Sequence, residues 1–253
     1  MNRTKIEWTD FTWNPITGCR NGCDFCYARK LAEGRLKGRY GYPAVDPFKP
    51  TFHKERLTEP NAVNKPSRIF TISMGDMFSF GVERGWIHAI MDVIRYTPHH
   101  TFQVLTKSPE RMTVVLGPDF ELPSNLYMGV SVSSDNNQFR LDVLHAQLDM
   151  LPGKPKRFVS FEPLLGSIDS RNVDWERLDW VIVGAETGNR KGKIKPDPRW
   201  IVDILGHTGF YGIPIFMKNN LDYPIKFQLF PGEEKSSLTY RTFINKSNKI
   251  NKL

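Results

Sequence analysis

Short apolar runs rich in β-branched and aromatic residues recur along this 253-residue chain, and between them apolar positions return every three or four residues. The runs predict strands at Phe11–Thr17, Arg68–Ser73, Thr101–Thr106, Asn125–Val132, Arg157–Phe161, Trp180–Gly184 and Ile213–Met217. Between the second and third, Trp86, Ile87, Ile90, Val93 and Ile94 predict a helix over Glu83–Tyr96. Leu141, Leu144, His145 and Leu148 predict another over Gln138–Met150, and Trp200, Ile201, Ile204 and Leu205 a third over Arg199–His207. Pro109 opens a shorter helix that includes Met112. Strands alternating with helices make parallel β/α units. The expected fold class is therefore α/β, a partial (β/α) TIM-like barrel of about six to seven parallel strands. It occupies residues 1–230, and a polar, lysine-ended extension follows over 231–253. The stretch 38–67 carries Pro43, Pro47, Pro50, Pro60 and Pro66 and is too long for an ordinary connection, which marks it as a functional insertion.

Composition adds three constraints. At 40% hydrophobic and 25% charged residues the chain can bury a core. No apolar stretch has the length of a membrane span, and the first residues lack the apolar centre of a signal peptide, so a cytoplasmic protein with no membrane partner is expected. The net charge of +8 favours a polyanionic partner. Between Arg29 and Arg68 ten basic residues stand against four acids, interleaved with Tyr40, Tyr42, Phe48 and Phe52. A surface that tracks phosphates and stacks bases needs that mixture, so nucleic acid, and DNA in particular, is the expected partner.

The densest chemistry lies in Gly18-Cys19-Arg20-Asn21-Gly22-Cys23-Asp24-Phe25-Cys26-Tyr27, which holds all three cysteines of the chain. Three thiolates on one loop can ligate three irons of a cubane cluster and leave the fourth iron open. A structural zinc site needs a fourth ligand, for which only the distant His53 offers itself. A redox pair of Cys23 and Cys26 would leave Cys19 without a role. Polar residues also gather at the strand ends. Ser73-Met74-Gly75-Asp76 follows the second strand and Lys107 the third, while Ser131 and Ser133 alternate with valines on the fourth. Glu162 and Glu186 follow the fifth and sixth strands and Lys218 the seventh. In barrels of this kind the chemistry sits at those ends. Glu162 and Glu186 are candidates for ribose or substrate contacts, or for structural pairing with Lys107 or Lys218.

The C-x3-C-x2-C spacing with an aromatic before its last cysteine resembles the radical SAM superfamily, and the loop from Thr17 to Tyr27 looks especially like the spore photoproduct lyases. The opening Ile6-Glu7-Trp8-Thr9-Asp10-Phe11-Thr12-Trp13-Asn14-Pro15, with Ser160–Leu164 and Val183–Glu186, is similar to a phage-associated three-cysteine family of uncertain function. The resemblance implies a [4Fe–4S] cluster on Cys19, Cys23 and Cys26, which are then both metal ligands and catalytic residues. It implies S-adenosyl-L-methionine as second cofactor, contacted by Ser73, Asp76, Lys107 and Ser131. Phe25, Tyr27, Gly75, Ser133, Glu162 and Glu186 complete the candidate cofactor-binding set. The implied reaction is reductive cleavage of SAM to a 5′-deoxyadenosyl radical, which takes hydrogen from a nucleobase in DNA or a modified phage base. The electron would come from a flavodoxin or ferredoxin. Two alternatives stand beside it: a radical SAM enzyme acting on a small molecule, and a non-catalytic iron–sulfur protein that binds nucleic acid. The chain departs from the lyases in having only Gly75-Asp76 where a double glycine precedes the acid, and no further cysteine to serve as hydrogen donor.

Overall fold

The computed structural model describes residues 1–188 and 190–232, so the extension expected over 231–253 lies almost wholly outside the described residues. The fold is α/β, with mostly parallel strands and the strand–helix alternation of a partial TIM-like barrel. Its described residues form two compact units, Met1–Ser131 with Val143–Lys156, and Val132–Asp142 with Arg157 onward.

In the first unit, Asn2–Arg3 (β1) pairs antiparallel with Phe11–Trp13 (β2). Ile16–Thr17 is β3, and Tyr27–Glu33 is the first helix, α1. Thr51–Phe52 (β4) pairs antiparallel with β3. Arg68–Thr71 (β5), Thr101–Thr106 (β6) and Leu126–Ser131 (β7) then extend β2 in parallel, with Trp13 beside Thr71, Thr71 beside Val104 and Thr106 beside Val130. The helices Arg84–Tyr96 (α2) and Met112–Leu116 (α3) connect these strands. In α2 the buried residues are Ile87, Ile90, Met91 and Ile94, one stripe at helical spacing. Burying each such side chain contributes about 1.5–3 kcal/mol. Trp86 lies beside that stripe and stacks on Phe52, with ring centroids 5.4 Å apart and planes 7° from parallel.

The helix Arg140–Asp149 (α4) precedes three parallel strands of the second unit: Lys156–Phe161 (β8), Trp180–Val183 (β9) and Ile215–Met217 (β10). Phe161 lies beside Val183, and Val183 beside Met217. The connecting helix Pro198–Tyr211 (α5) starts where Asp197 accepts the Arg199 N–H at 2.8 Å and proline takes the first helical position. It ends at Gly212, whose left-handed φ of +68° favours glycine. β2, β5, β6 and β7 in one unit and β8, β9 and β10 in the other make seven parallel strands, as the apolar runs predict.

Two local features depart from the pattern. The strand expected over Phe11–Thr17 breaks at Asn14-Pro15, because proline has no N–H to donate and Asn14 turns its side chain to other work. Asn14 Oδ1 accepts the Met74 N–H at 2.9 Å and the Ser73 hydroxyl at 3.2 Å. The helix α1, seven residues long, follows the last cysteine with no apolar period to reveal it. Cys26 caps it by accepting the Arg29 N–H at 3.3 Å, in the place where serine or aspartate is the usual signal.

Candidate functional site

The cysteine loop leaves β3 through Gly18, which runs beside Gly75 as a parallel bridge and donates its N–H to Met74 O at 2.8 Å. A Cβ on Gly75 would stand 2.6 Å from Gly18 O, and one on Gly18 would stand 2.3 Å from Lys49 O. The backbone that Gly75 admits is thus the protein's own. Ile72, just before this turn, holds φ at +66°, a conformation a β-branched residue rarely adopts and one that costs about 1–3 kcal/mol. Its N–H donates to Trp13 O at 2.7 Å, and this tether swings the chain after β5 toward the cysteine loop.

Asp76 organises the surroundings. The side chain is 4% exposed, and its carboxylate accepts four hydrogen bonds. Phe78 N donates at 3.0 Å and the Thr106 hydroxyl at 2.7 Å to one oxygen. Asn21 Nδ2 and the Lys107 N–H, each at 2.8 Å, donate to the other. The carboxylate therefore joins the cysteine loop, the turn after β5 and the end of β6. Further ties are Arg20 N to Ser79 Oγ at 2.8 Å, Ser108 Oγ to Asn21 Oδ1 at 3.2 Å and Tyr27 Oη to Ser73 O at 2.6 Å.

Cys19 is buried with Ala28, Ala32, Tyr42 and Phe48, and Cys26, Leu36 and Met74 pack on that cluster. Cys23 and Cys26 are half-buried. Burial pushes the Cys19 thiol up to about 11, and the charges of Asp76, Cys26 and Cys23 add to the rise against a backbone N–H from Asn21. Lys107 Nζ lies 3.3 Å from Cys23 Sγ and 4.5 Å from the centre of the Phe25 ring. At pH 8 Cys19 has a thiolate fraction of about one in a thousand. Iodoacetamide at that pH is expected to modify the half-exposed Cys23 and Cys26 well before Cys19, as peptide mass spectrometry of a time course would show.

Among the described residues no three His, Cys, Asp or Glu side chains stand close enough together to hold a metal ion. His53, the one candidate for a fourth zinc ligand, is buried with Nε2 2.9 Å from Thr17 Oγ1 and its ring against Tyr42. Burial, then the charge of Arg56, lowers its pKa. The loop offers three thiols within eight residues, while its one carboxylate, Asp24, is exposed and the nearby Asp76 carboxylate is taken up by its four donors. That set fits a cluster with three protein ligands better than closed four-ligand zinc.

The residues expected around SAM have other partners here. Ser73 donates to Asn14, Gly75 packs on Gly18, Asp76 is committed to its four donors and Lys107 sits on Cys23. Ser131 is buried at the end of β7. In the second unit Ser133 is buried, and its N–H donates to Asn137 Oδ1 at 2.7 Å. Glu162 pairs with Lys218, one of its two expected lysines. Glu186 instead pairs with Arg190, Nε to Oε1 at 2.7 Å and Nη2 to Oε2 at 2.8 Å, which holds its carboxyl below the usual range. Sequence reasoning passed over Asn14, Asn21, Ser79 and Thr106. The Asn14-Pro15 and Asn21-Gly22 pairs are turn signals that point to the first two, while nothing local points to the others.

A family model described as "Protein of unknown function (DUF5131)" matches residues 3–232. The chain belongs to this family. No curated protein matches this member of DUF5131. Among solved structures it is similar to a spore photoproduct lyase, a cysteine-to-alanine mutant with dinucleoside spore photoproduct. Identity is 12% and the TM-score 0.46, covering 85% of this chain and 57% of that one. The DUF5131 chain thus spans a little over half of that protein, and a likeness so distant bears on neither fold nor function.

Proposed function

We propose that this DUF5131 protein is a radical SAM enzyme, with Cys19, Cys23 and Cys26 as the residues that would hold a [4Fe–4S] cluster. The observation that carries the reading is the all-cysteine loop, C-x3-C-x2-C with Phe25 before the last cysteine, seated at the strand ends of the first unit. When bound with SAM, such a cluster supplies the electron that releases a 5′-deoxyadenosyl radical. The chain's part is to fix the loop. Asp76 ties Asn21 to the end of β6, and Gly18 against Gly75 sets where Cys19 begins. The packing of Phe48 and Tyr42 closes the side of Cys19 against water. Lys107 Nζ reaches Cys23 Sγ, where its cation would offset the thiolate charge once a cluster is bound. SAM enters this proposal through the cysteine motif alone. Its electron donor would be a flavodoxin or ferredoxin, its compartment the cytoplasm, and its substrate a base in DNA, on the strength of the charge in 29–68. Among the described residues no helix is long and apolar enough to cross a membrane.

Anaerobic reconstitution with iron and sulfide, then dithionite and SAM, is expected to release 5′-deoxyadenosine from the wild type and none from Cys26→Ala. Failure to take up iron in the wild type would sink the proposal. One observation favours a second reading, a cluster that acts as a structural staple: Cys19 sits inside an apolar cluster of the core. That reading expects the cluster-free protein to lose its cooperative melting, whereas an enzymatic cluster leaves most of the fold in place.

A further inference from the structure

We infer that Tyr40 is a base-stacking platform for single-stranded DNA, held out to solvent by a tight turn beside the cysteine loop. The inference rests on the nucleic-acid part of the proposed function and assigns that contact to one residue. The turn is Arg39–Tyr42, closed by the Tyr42 N–H on Arg39 O at 2.9 Å. Its two central residues, Tyr40 and Gly41, both have positive φ, +52° and +83°, the backbone of a type I′ turn. Asparagine, aspartate or glycine is the usual choice at the first of these positions, and a bulky aromatic there is an outlier. An outlier persists only where its surroundings hold it. Arg56 does so here, with Nη2 donating to Tyr40 O at 2.7 Å and Nη1 to Asn14 O at 3.2 Å. Tyr42 anchors the other side of the turn, buried against His53 and in the cluster that contains Cys19. A Cβ on Gly41 would come within 2.7 Å of the His53 ring, so the turn cannot exchange its two central residues.

The base of this turn is fixed, and its tip is a ring 76% exposed. Of the four aromatics interleaved with the basic residues, Tyr42 and Phe48 are buried and Phe52 is stacked on Trp86, so Tyr40 alone is presented outward. Residues 34–45 contain Arg35, Lys37 and Arg39, all exposed, and no acid. Arg56 and Arg68, by contrast, are spent inside the protein on backbone carbonyls and on Asp10. A pre-positioned ring among three free-standing cations is the combination that binds a single strand, the ring taking a base face and the cations the phosphates.

Fluorescence anisotropy of a labelled oligothymidylate of about 12 nucleotides, with the full chain, tests this in a way that needs no cluster. Tyr40→Asn is the informative variant, because asparagine suits the left-handed backbone and the fold should be as stable as wild type or more so. It is expected to weaken binding at least tenfold with the salt dependence unchanged, while Tyr40→Trp retains binding. Arg39→Gln is expected to lower the slope of log K against log salt by about one. Wild-type affinity in Tyr40→Asn would overturn the stacking role and leave the radical SAM reading intact. Absence of salt-dependent binding by the wild type would overturn both this inference and the DNA substrate. Release of 5′-deoxyadenosine would be unaffected by either result and reports separately on the cysteines.

Discussion

Asp76→Ala is expected to cost about 4 kcal/mol of stability. The reason is the number of donors that would be orphaned rather than the loss of one contact. Phe78 N, Lys107 N, Asn21 Nδ2 and the Thr106 hydroxyl all end on this one buried carboxylate, and an alanine cavity offers none of them an acceptor. Asp76→Asn keeps the shape but turns an NH2 toward donors, and is expected to cost about 2 kcal/mol. For a domain of this size the alanine change corresponds to a fall of about 10 °C in Tm. The control is Asp24→Ala, exposed in the cysteine loop, which should stay within about 0.5 kcal/mol of wild type. Urea unfolding of the cluster-free protein gives the comparison. Because Asp76 ties Asn21, between Cys19 and Cys23, to the end of β6, the same variant should also retain less iron after reconstitution. Unchanged stability with unchanged iron would mean that the carboxylate is no hub.

The strands were legible because each is a compact apolar run, and β6 matches its sequence expectation residue for residue. The other strands have bounds one or two residues from those expected, as where β5 ends at Thr71 rather than Ser73, and the first run breaks at Asn14-Pro15. α1 was illegible for a physical reason: one and a half turns cannot display a period, and its cap is a cysteine. The spacing of the three cysteines is plain in the sequence, whereas the use made of the residues around them is not. Asp76 looks like a ligand-binding acid at a strand end, but its partners Asn21 and Thr106 lie 55 and 30 residues away in sequence. Gly75 looks like a glycine that admits a ligand, yet the chain it admits is Gly18, 57 positions earlier. Likewise the basic and aromatic residues of 29–68 read as one surface. Folding sorts them into a buried half that walls the cysteine loop, with Tyr42 and Phe48, and an exposed half around Tyr40.

The pair of Glu162 and Lys218, at the ends of β8 and β10 in the second unit, should behave as a coupled structural unit. Their side chains are 20% and 11% exposed, so each screens the other from a low-dielectric surrounding. Gly184, at the end of β9, makes room for them: a Cβ there would lie 2.9 Å from Lys218 Cδ and 3.0 Å from Glu162 Cδ. Removing one partner takes from the other the opposite charge that lies against it. Glu162→Gln and Lys218→Met are each expected to cost about 2–3 kcal/mol, below the 3–5 of a fully buried pair because both retain some contact with water. Glu162→Gln combined with Lys218→Met should recover about 2 kcal/mol of the summed single losses in urea unfolding, since the double variant removes both charges. The cycle also decides what the carboxylate is for. Strong coupling with 5′-deoxyadenosine release preserved in the double variant makes the pair a strut between strand ends. Glu162→Gln with wild-type stability and lost turnover would instead place Glu162 on a substrate or ribose, with Lys218 as its resting partner.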